Sequence, residues 1–172
     1  MTKLNIDIVN KYKDWNIDEK DILQTIREIF HFYLSYPKIA QQSCLSKYDY
    51  STISFDIMFC NGETTHKINK EYRSKDYPAD IITFAVFADS AESERFVLDN
   101  EINLGEIIIA MDKIEQQANE KDVSKEIELK FFISHGILHL LGFDHRNEKE
   151  YNFVIECQKL ALKSMGIEYD KI

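Results

Sequence analysis

The stretch from residue 124 to 142, SKEIELKFFISHGILHLLG, constrains the fold more than any other part of the chain. Placed on a helix, it is apolar on almost every side, and such a helix must be surrounded by other elements. It carries His135 and His139 four residues apart, Gly142 follows, and His145 comes three residues later. The sequence therefore predicts a central helix that leads into a cluster of histidines.

The spacing of these histidines indicates a metal site. Positions i and i+4 share one helix face, with Cβ atoms about 5–6 Å apart, so the imidazoles of His135 and His139 can bind one ion at about 2.0–2.1 Å. Gly142 is expected to end the helix in a left-handed turn that returns His145 as a third ligand. Three imidazoles leave one position for water, whose pKa a metal lowers toward about 7.

A zinc-protease helix, H-E-x-x-H-x-x-G-x-x-H, has histidines and a glycine at the same offsets. Gly136 stands where those enzymes have their catalytic glutamate. We interpret the absent carboxylate as favouring an anionic substrate, because a negative charge beside the metal would repel it. Gly136 is also expected to leave room above the metal. His31 and His66 lie on other helices and are interpreted as ordinary structural residues.

Hydrophobic periodicity predicts an α+β fold in a single domain, residues 1–172. We expect a small mixed sheet of about four strands packed with about five to six helices, with the metal-binding helix central. The predicted strands are residues 4–9, 51–60, 80–88 and 104–111. The predicted helices are residues 18–36, 62–72, 112–121, 124–142 and 148–166, with Asn61 and Ser124 as N-caps.

Charge and cysteine content limit the possible functions. A net charge of −9 argues against coating nucleic acid by bulk charge, but four Lys and Arg residues lie within residues 67–75. There Lys70 and Tyr72 are candidates for binding phosphate and stacking on a base, although an ordinary solvated helix face fits as well. Three scattered cysteines predict no disulfide framework. Without a signal peptide or membrane span, we expect a cytoplasmic protein.

Three segments resemble motifs of the YbeY family of metal-dependent endoribonucleases. HGILHLLGFDH (135–145) resembles H-G-x-L-H-L-x-G-[YF]-D-H, and INKEYRSKDYPADIITF (68–84) resembles L-N-x-x-[YF]-R-x-x-D-x-P-T-D-V-L-S-F. LGEIIIA (104–110) resembles L-G-D-I-x-I-S, and the three occur in the family's order. The chain departs from these motifs at Ala79, Thr83, Glu106 and Ala110.

The resemblance implies a single-strand-specific endoribonuclease that acts in 16S rRNA 3′-end maturation and ribosome quality control. It implies one Zn²⁺ per chain on His135, His139 and His145, with metal-activated water attacking the phosphodiester. Expected partners are single-stranded RNA, rRNA and the ribosome or its small-subunit proteins, with no membrane and no DNA. Arg73, from the Tyr-Arg pair of the motif, is implied as a polar member of the site.

The planar fork of Arg73 suits two phosphate oxygens. From the spacing alone, we expect Arg73 to form a surface ion pair with Asp76. The match to the family motif instead favours a role for Arg73 in the site. Glu106 and Asp144 are both candidates to activate water, and Asp144 fits equally well as a residue that orients an imidazole. Two rival readings remain: a zinc peptidase-like hydrolase, and a non-enzymatic ribosome-binding module whose metal is structural and has a fourth protein ligand.

Overall fold

The computed structural model describes residues 2–171. Over that range the chain forms a four-stranded sheet and seven α-helices, two of them single turns, plus one 3₁₀ turn. The strands are β1 (Lys3–Asn10), β2 (Thr52–Cys60), β3 (Ile81–Phe84) and β4 (Glu101–Ala110). The helices are α1 (Glu19–Ser35), α2 (Pro37–Ala40), α3 (Gly62–Arg73), α4 (Val86–Asp89), α5 (Met111–Lys121), α6 (Lys125–Leu140) and α7 (Glu148–Ser164).

The sheet is mixed, as predicted, with strand order β1-β2-β4-β3. The pairs β1–β2 and β2–β4 are parallel, and β3 runs antiparallel to β4. Apolar residues alternate along β2, so one face of the sheet is a continuous buried surface against which the helices pack.

A β-bulge interrupts β4 at Gly105. The pairing with β2 shifts register between Ser54 and Asp56, and Gly105 has φ +127°. A Cβ on Gly105 would lie 1.9 Å from the carbonyl oxygen of Phe84, so only glycine fits. The bulge keeps aliphatic residues on both sides of it in the main core: Ile102, Leu104, Ile107 and Ile109.

Helix α6 is central, as predicted. It packs on β3 and β4 on one side and contacts α1, α5 and α7 on others. The side chains of Asn61 and Ser124 accept hydrogen bonds from the backbone N–H groups of Thr64 (3.0 Å) and Ile127 (3.2 Å), which confirms both predicted N-caps.

The predicted strand 80–88 is wrong in its second half. Pairing ends at Phe84 opposite Glu106, because the bulge at Gly105 removes the next ladder partner, and the chain then forms the turn α4. The single turn α2 was not predicted; it has Pro37 in its first turn, where a missing N–H costs nothing.

The cysteines are free. Within residues 2–171 the longest apolar helices fall short of what a membrane crossing requires.

Candidate metal centre

The last two turns of α6 and the segment after it bring three imidazoles together. One nitrogen from each of His135, His139 and His145 lies within 4.8 Å of the other two. The Nε2 atoms of His135 and His139 are 2.9 Å apart, close to the separation of about 3.3 Å between two nitrogens bound tetrahedrally to one zinc ion. The donor set and its spacing therefore fit a metal ion.

Gly142 provides the turn that returns His145 to the helix. Its φ is +98°, its N–H donates to the carbonyl of His139, and the N–H of Phe143 donates to the carbonyl of Leu138, both at 3.0 Å. This pair of bonds is a Schellman motif, which needs a left-handed residue at the position of Gly142. The predicted geometry of the turn is confirmed.

Gln158 on α7 orients His135, and sequence analysis missed it. Its Oε1 lies 2.9 Å from Nδ1 of His135, while its Nε2 donates to the carbonyl of Phe131 at 2.9 Å. The carbonyl can only accept, so Oε1 must face the imidazole and Nδ1 must carry the proton. Nε2 of His135 is then free to bind a metal. Gln158 is fully buried; a glutamine on the apolar stripe of α7 indicates a buried polar role, but the sequence does not show which group it contacts.

Burial keeps the two helical histidines neutral. Desolvation, with smaller contributions from the neighbouring histidines, lowers the pKa of His139 to about 4. The pKa of His135 is also lowered, mainly by burial. A charged imidazole is disfavoured in both places, so at neutral pH both nitrogens are available as ligands.

The three histidines open into a cavity of about 570 Å³. Its wall also includes Arg73, Lys75, Tyr77, Thr83, Asp144 and Arg146. Three cationic side chains (Arg73, Lys75, Arg146) and two carboxylates (Asp89, Asp144) line the cavity, and Arg146 also pairs with Glu150 at 3.3 Å outside it. The surroundings of the cavity are thus close to neutral before any metal is counted, whereas the whole chain is acidic.

Arg73 lies at this cavity. Among residues 2–171 its guanidinium makes one side-chain hydrogen bond, from Nη1 to Oδ1 of Asn69, at 3.3 Å. In the described part of the chain no carboxylate oxygen lies within 4.0 Å of its guanidinium, and Asp76 instead lies 2.8 Å from Nε2 of His66. The structure therefore does not contain the ion pair between Arg73 and Asp76 that spacing alone favoured.

Lys70 and Tyr72 are not among the residues that line the cavity, and their roles as phosphate and base contacts stay predictions. Tyr72 is 67% exposed and packs edge-on against Phe84 at 6.1 Å. Helix α3 ends at Arg73, its C-cap Ser74 has φ +54°, and the chain then turns so that Lys75 and Tyr77 line the cavity. A local motif could not show which side of this turn faces the site.

Glu106 is not among the residues that line the cavity of the histidines, and its role as a water-activating group stays a prediction. It borders a separate cavity with Ser54 and Asp56. Because of the bulge at Gly105, Glu106 points away from the sheet face that Ile107 presents to α6. Partial burial, and secondarily the charge of Asp56, raise the pKa of Glu106.

Asp144 does lie beside the histidines, at the edge of the cavity. One carboxylate oxygen accepts from the backbone N–H of His145 at 2.8 Å, and the other lies 3.6 Å from Nε of Arg146. It makes no hydrogen bond to an imidazole in the described structure. Of the two acidic candidates, Asp144 is the one that the fold brings to the site.

Gly136 has a packing role that the sequence interpretation did not foresee. A Cβ there would lie 3.0 and 3.1 Å from carbons of Ile107 and 3.2 Å from one of Ile81. The position faces the sheet rather than the space above the metal. Glycine therefore lets α6 approach β3 and β4 closely, and our explanation that it leaves room for substrate is wrong.

In the part of the chain that the structure describes, His135, His139 and His145 form the one group of potential ligands with metal-binding geometry. No fourth Cys, His, Asp or Glu ligand joins them there. An open position of this kind is typical of catalytic rather than structural zinc sites.

Comparison with known proteins places these features in a family context. A model of the family described as Endoribonuclease YbeY matches residues 7–166. A Listeria monocytogenes protein named Endoribonuclease YbeY is 35% identical over 173 residues, covering 98% of this chain and 99% of that protein. A Bacillus licheniformis protein of the same name is 45% identical over 112 residues, covering 64% and 71% respectively.

One solved structure shares the fold. The solution structure of a Thermotoga maritima protein, TM1509, aligns with a TM-score of 0.55, covering 93% of this chain and 88% of that chain. The two sequences are 22% identical, so this likeness concerns the architecture alone.

Proposed function

The chain belongs to the YbeY endoribonuclease family, and on that premise we propose that it hydrolyses single-stranded RNA in the cavity beside His135, His139 and His145. The observation that carries the proposal is the convergence of three imidazole nitrogens within 4.8 Å on a cavity that also holds Arg73. Phosphodiester cleavage needs a nucleophile and positive charge on the phosphoryl oxygens, and this combination can supply both.

We propose zinc as the metal, with one ion per chain. An all-nitrogen set of three neutral imidazoles suits Zn²⁺, and the residues present fit it. When bound, the ion would supply Lewis-acid charge and an activated water.

Side chains at the cavity perform the remaining steps of catalysis and substrate binding. Arg73 binds two oxygens of the scissile phosphate, because within residues 2–171 most of its guanidinium N–H groups have no protein partner and it lines the same cavity as the histidines. Asp144 accepts a proton from water, since it lines that cavity and directly precedes His145 in the sequence. Lys75 and Arg146 hold the flanking phosphates, and Tyr77, which is 51% exposed, stacks on a base.

The biological role we propose is maturation of the 3′ end of 16S rRNA and ribosome quality control, in the cytoplasm and in contact with the ribosome or small-subunit proteins. The family motifs at residues 68–84 and 135–145 support this role. A peptidase is less well supported, because position 136 faces the sheet and offers no place for the usual base. A purely structural metal is less well supported because the described ligand set has three members.

The experiment that tests the proposal combines metal analysis with RNA cleavage. Purified protein is analysed for metals, treated with chelator, and reloaded with zinc or other divalent ions. We expect about one zinc ion per chain and cleavage of single-stranded but not duplex RNA, lost with chelator and restored with metal. Cleavage that persists in protein verified to be free of metal, or cleavage of peptides but not RNA, would contradict the proposal.

A further inference from the structure

We propose that Asn69 is a positioning residue for catalysis, holding the guanidinium of Arg73 and the cavity-lining segment 74–77 in place. This inference rests on the proposed function, because Arg73 must contact RNA for its orientation to matter. Asn69 itself lies beneath the segment and does not line the cavity.

Asn69 is completely buried, with 0% exposure, and its carbonyl and side-chain amide bind the last residue of α3 and the segment that follows it. Its backbone carbonyl accepts from the N–H groups of Ser74 and Lys75. Its side-chain Nδ2 donates to the carbonyl of Tyr77 at 2.9 Å, and its Oδ1 accepts from Nη1 of Arg73 at 3.3 Å. One buried side chain thus links the arginine to the backbone of a second cavity residue.

The orientation of this amide is determined by its partners. The carbonyl of Tyr77 can only accept, so the NH₂ group faces it, and Oδ1 faces Arg73. The contact with Asn69 uses one of the five guanidinium N–H groups. The arginine is therefore held while most of its donors remain available to a phosphate.

A neutral acceptor has an advantage over a carboxylate here. An aspartate at position 69 would hold Arg73 more tightly, but its negative charge would offset the charge that the phosphate needs. Asparagine positions the guanidinium and leaves its full charge facing the cavity. Displacement of a catalytic group by about 1 Å can cost about 100-fold in rate, so loss of this contact should be measurable.

Thr65 provides a matched control on the same helix. It is also fully buried, and its Oγ1 donates to the carbonyl of Ala79 at 2.7 Å. It therefore anchors the far end of the same connection without touching Arg73. Thr65→Val removes that anchor with little change of shape.

The test is a double-mutant cycle on RNA cleavage. We expect Asn69→Ala to lower kcat/KM by about tenfold in the wild-type background and by a clearly smaller factor in Arg73→Ala, because the part that acts through the arginine is then absent and only the loss of the bond to Tyr77 remains. Thr65→Val should change kcat/KM by the same factor in both backgrounds. If Asn69→Ala does not fold, Asn69→Asp keeps the size of the side chain, and its loss of activity should likewise be smaller in Arg73→Ala.

A second measurement does not depend on activity. The ¹⁵Nε–¹Hε NMR signal of Arg73, assigned by its loss in Arg73→Ala, should shift or broaden in Asn69→Ala and stay in place in Thr65→Val. Equal fold-losses from the Asn69 substitution in both backgrounds, together with an unchanged Arg73 signal, would overturn the inference. Normal RNA cleavage by Arg73→Ala would instead contradict the role of Arg73 in the proposed function, whatever the NMR result.

Discussion

Nδ1 of His135 lies 2.9 Å from Oε1 of Gln158, a buried side chain 23 residues further along the chain. This contact fixes the proton on Nδ1 and leaves Nε2 as the nitrogen that faces the other histidines. The metal site is thus prepared by α7, a helix that contributes no ligand to it.

Gln158→Leu should lower zinc affinity by about 10–100-fold, the usual effect of removing such a partner of a metal-binding histidine. The imidazole loses the acceptor that selects its tautomer. Competition with a chromophoric chelator measures the affinity. Val154→Ala, at a buried neighbour on the same helix, is the control: it should lower the melting temperature and leave zinc affinity unchanged. Equal affinities for Gln158→Leu and the wild type would show that the tautomer is fixed in another way.

His145→Ala should lose most of the bound metal, because two imidazoles alone bind zinc weakly. Elemental analysis of protein purified in parallel gives the occupancy. His31→Ala changes an exposed histidine on α1 and should keep the full amount. Full occupancy in His145→Ala would mean that the third ligand lies elsewhere.

Arg73→Ala should reduce RNA cleavage by orders of magnitude, since a charged contact that strengthens in the transition state affects kcat and kcat/KM together. Metal content should not change, and stability should fall by about 1 kcal/mol, because Arg73 is exposed but its removal leaves Oδ1 of the buried Asn69 without its partner. Arg73→Lys should restore activity only in part, because an ammonium group lacks the bidentate fork. Arg27→Ala, at an exposed position of α1, serves as the control. Activity lost only through unfolding would make Arg73 a structural residue.

Glu106→Gln should raise the melting temperature at pH 7 and retain RNA cleavage. Burial and Asp56 raise the folded-state pKa of Glu106 above its usual value of 4.5. At pH values between the unfolded-state and the folded-state pKa, the native state therefore binds more protons than the unfolded state. Stability therefore falls as pH rises through that window, and the ionised carboxylate is unfavourable at neutral pH.

Thermal melts at pH 7 and below pH 4 check the sign, because the benefit of Glu106→Gln should disappear once the wild-type carboxyl is protonated in both states. Glu120→Gln, at an exposed position of α5, is the comparison. Loss of cleavage in a stable Glu106→Gln protein would support the role of Glu106 as a water-activating group.

Gly136→Ala should destabilise the protein even though alanine is favoured over glycine in a helix by about 1 kcal/mol. The added carbon would lie 3.0–3.2 Å from the side chains of Ile107 and Ile81, and overpacking of this kind costs about 1–3 kcal/mol. Ile107→Val removes the Cδ1 atom at 3.0 Å and should partly relieve the loss in the double variant. Urea unfolding measures both effects; a more stable Gly136→Ala would show that α6 can move off the sheet at little cost.

The parts of the structure that the sequence predicted well depend on short-range spacing. The i, i+4 histidines, the glycine turn before His145 and the N-caps Asn61 and Ser124 are all specified within a few residues. The failures involve contacts between distant segments or a change of direction between adjacent ones. Gln158 meets His135 from another helix, and Lys75 reaches the cavity only because the chain reverses at Ser74. Neither the contact nor the turn produces a periodic pattern in the sequence.

The bulge at Gly105 has a consequence for how substitutions and deletions in β4 would act. In a regular strand, successive side chains point to opposite faces of the sheet. One extra residue in a bulge reverses the face to which each later side chain points. If the strand ran through residue 105 without a bulge, Glu106 and Ile108 would share the side of Ile102 and Leu104, which packs against the helices, and Ile107 and Ile109 would face the opposite surface. Deleting residue 105, by contrast, would remove the extra residue and leave Glu106 and Ile107 on their present sides. The bulge therefore keeps the carboxylate of Glu106 out of the core that α6 covers.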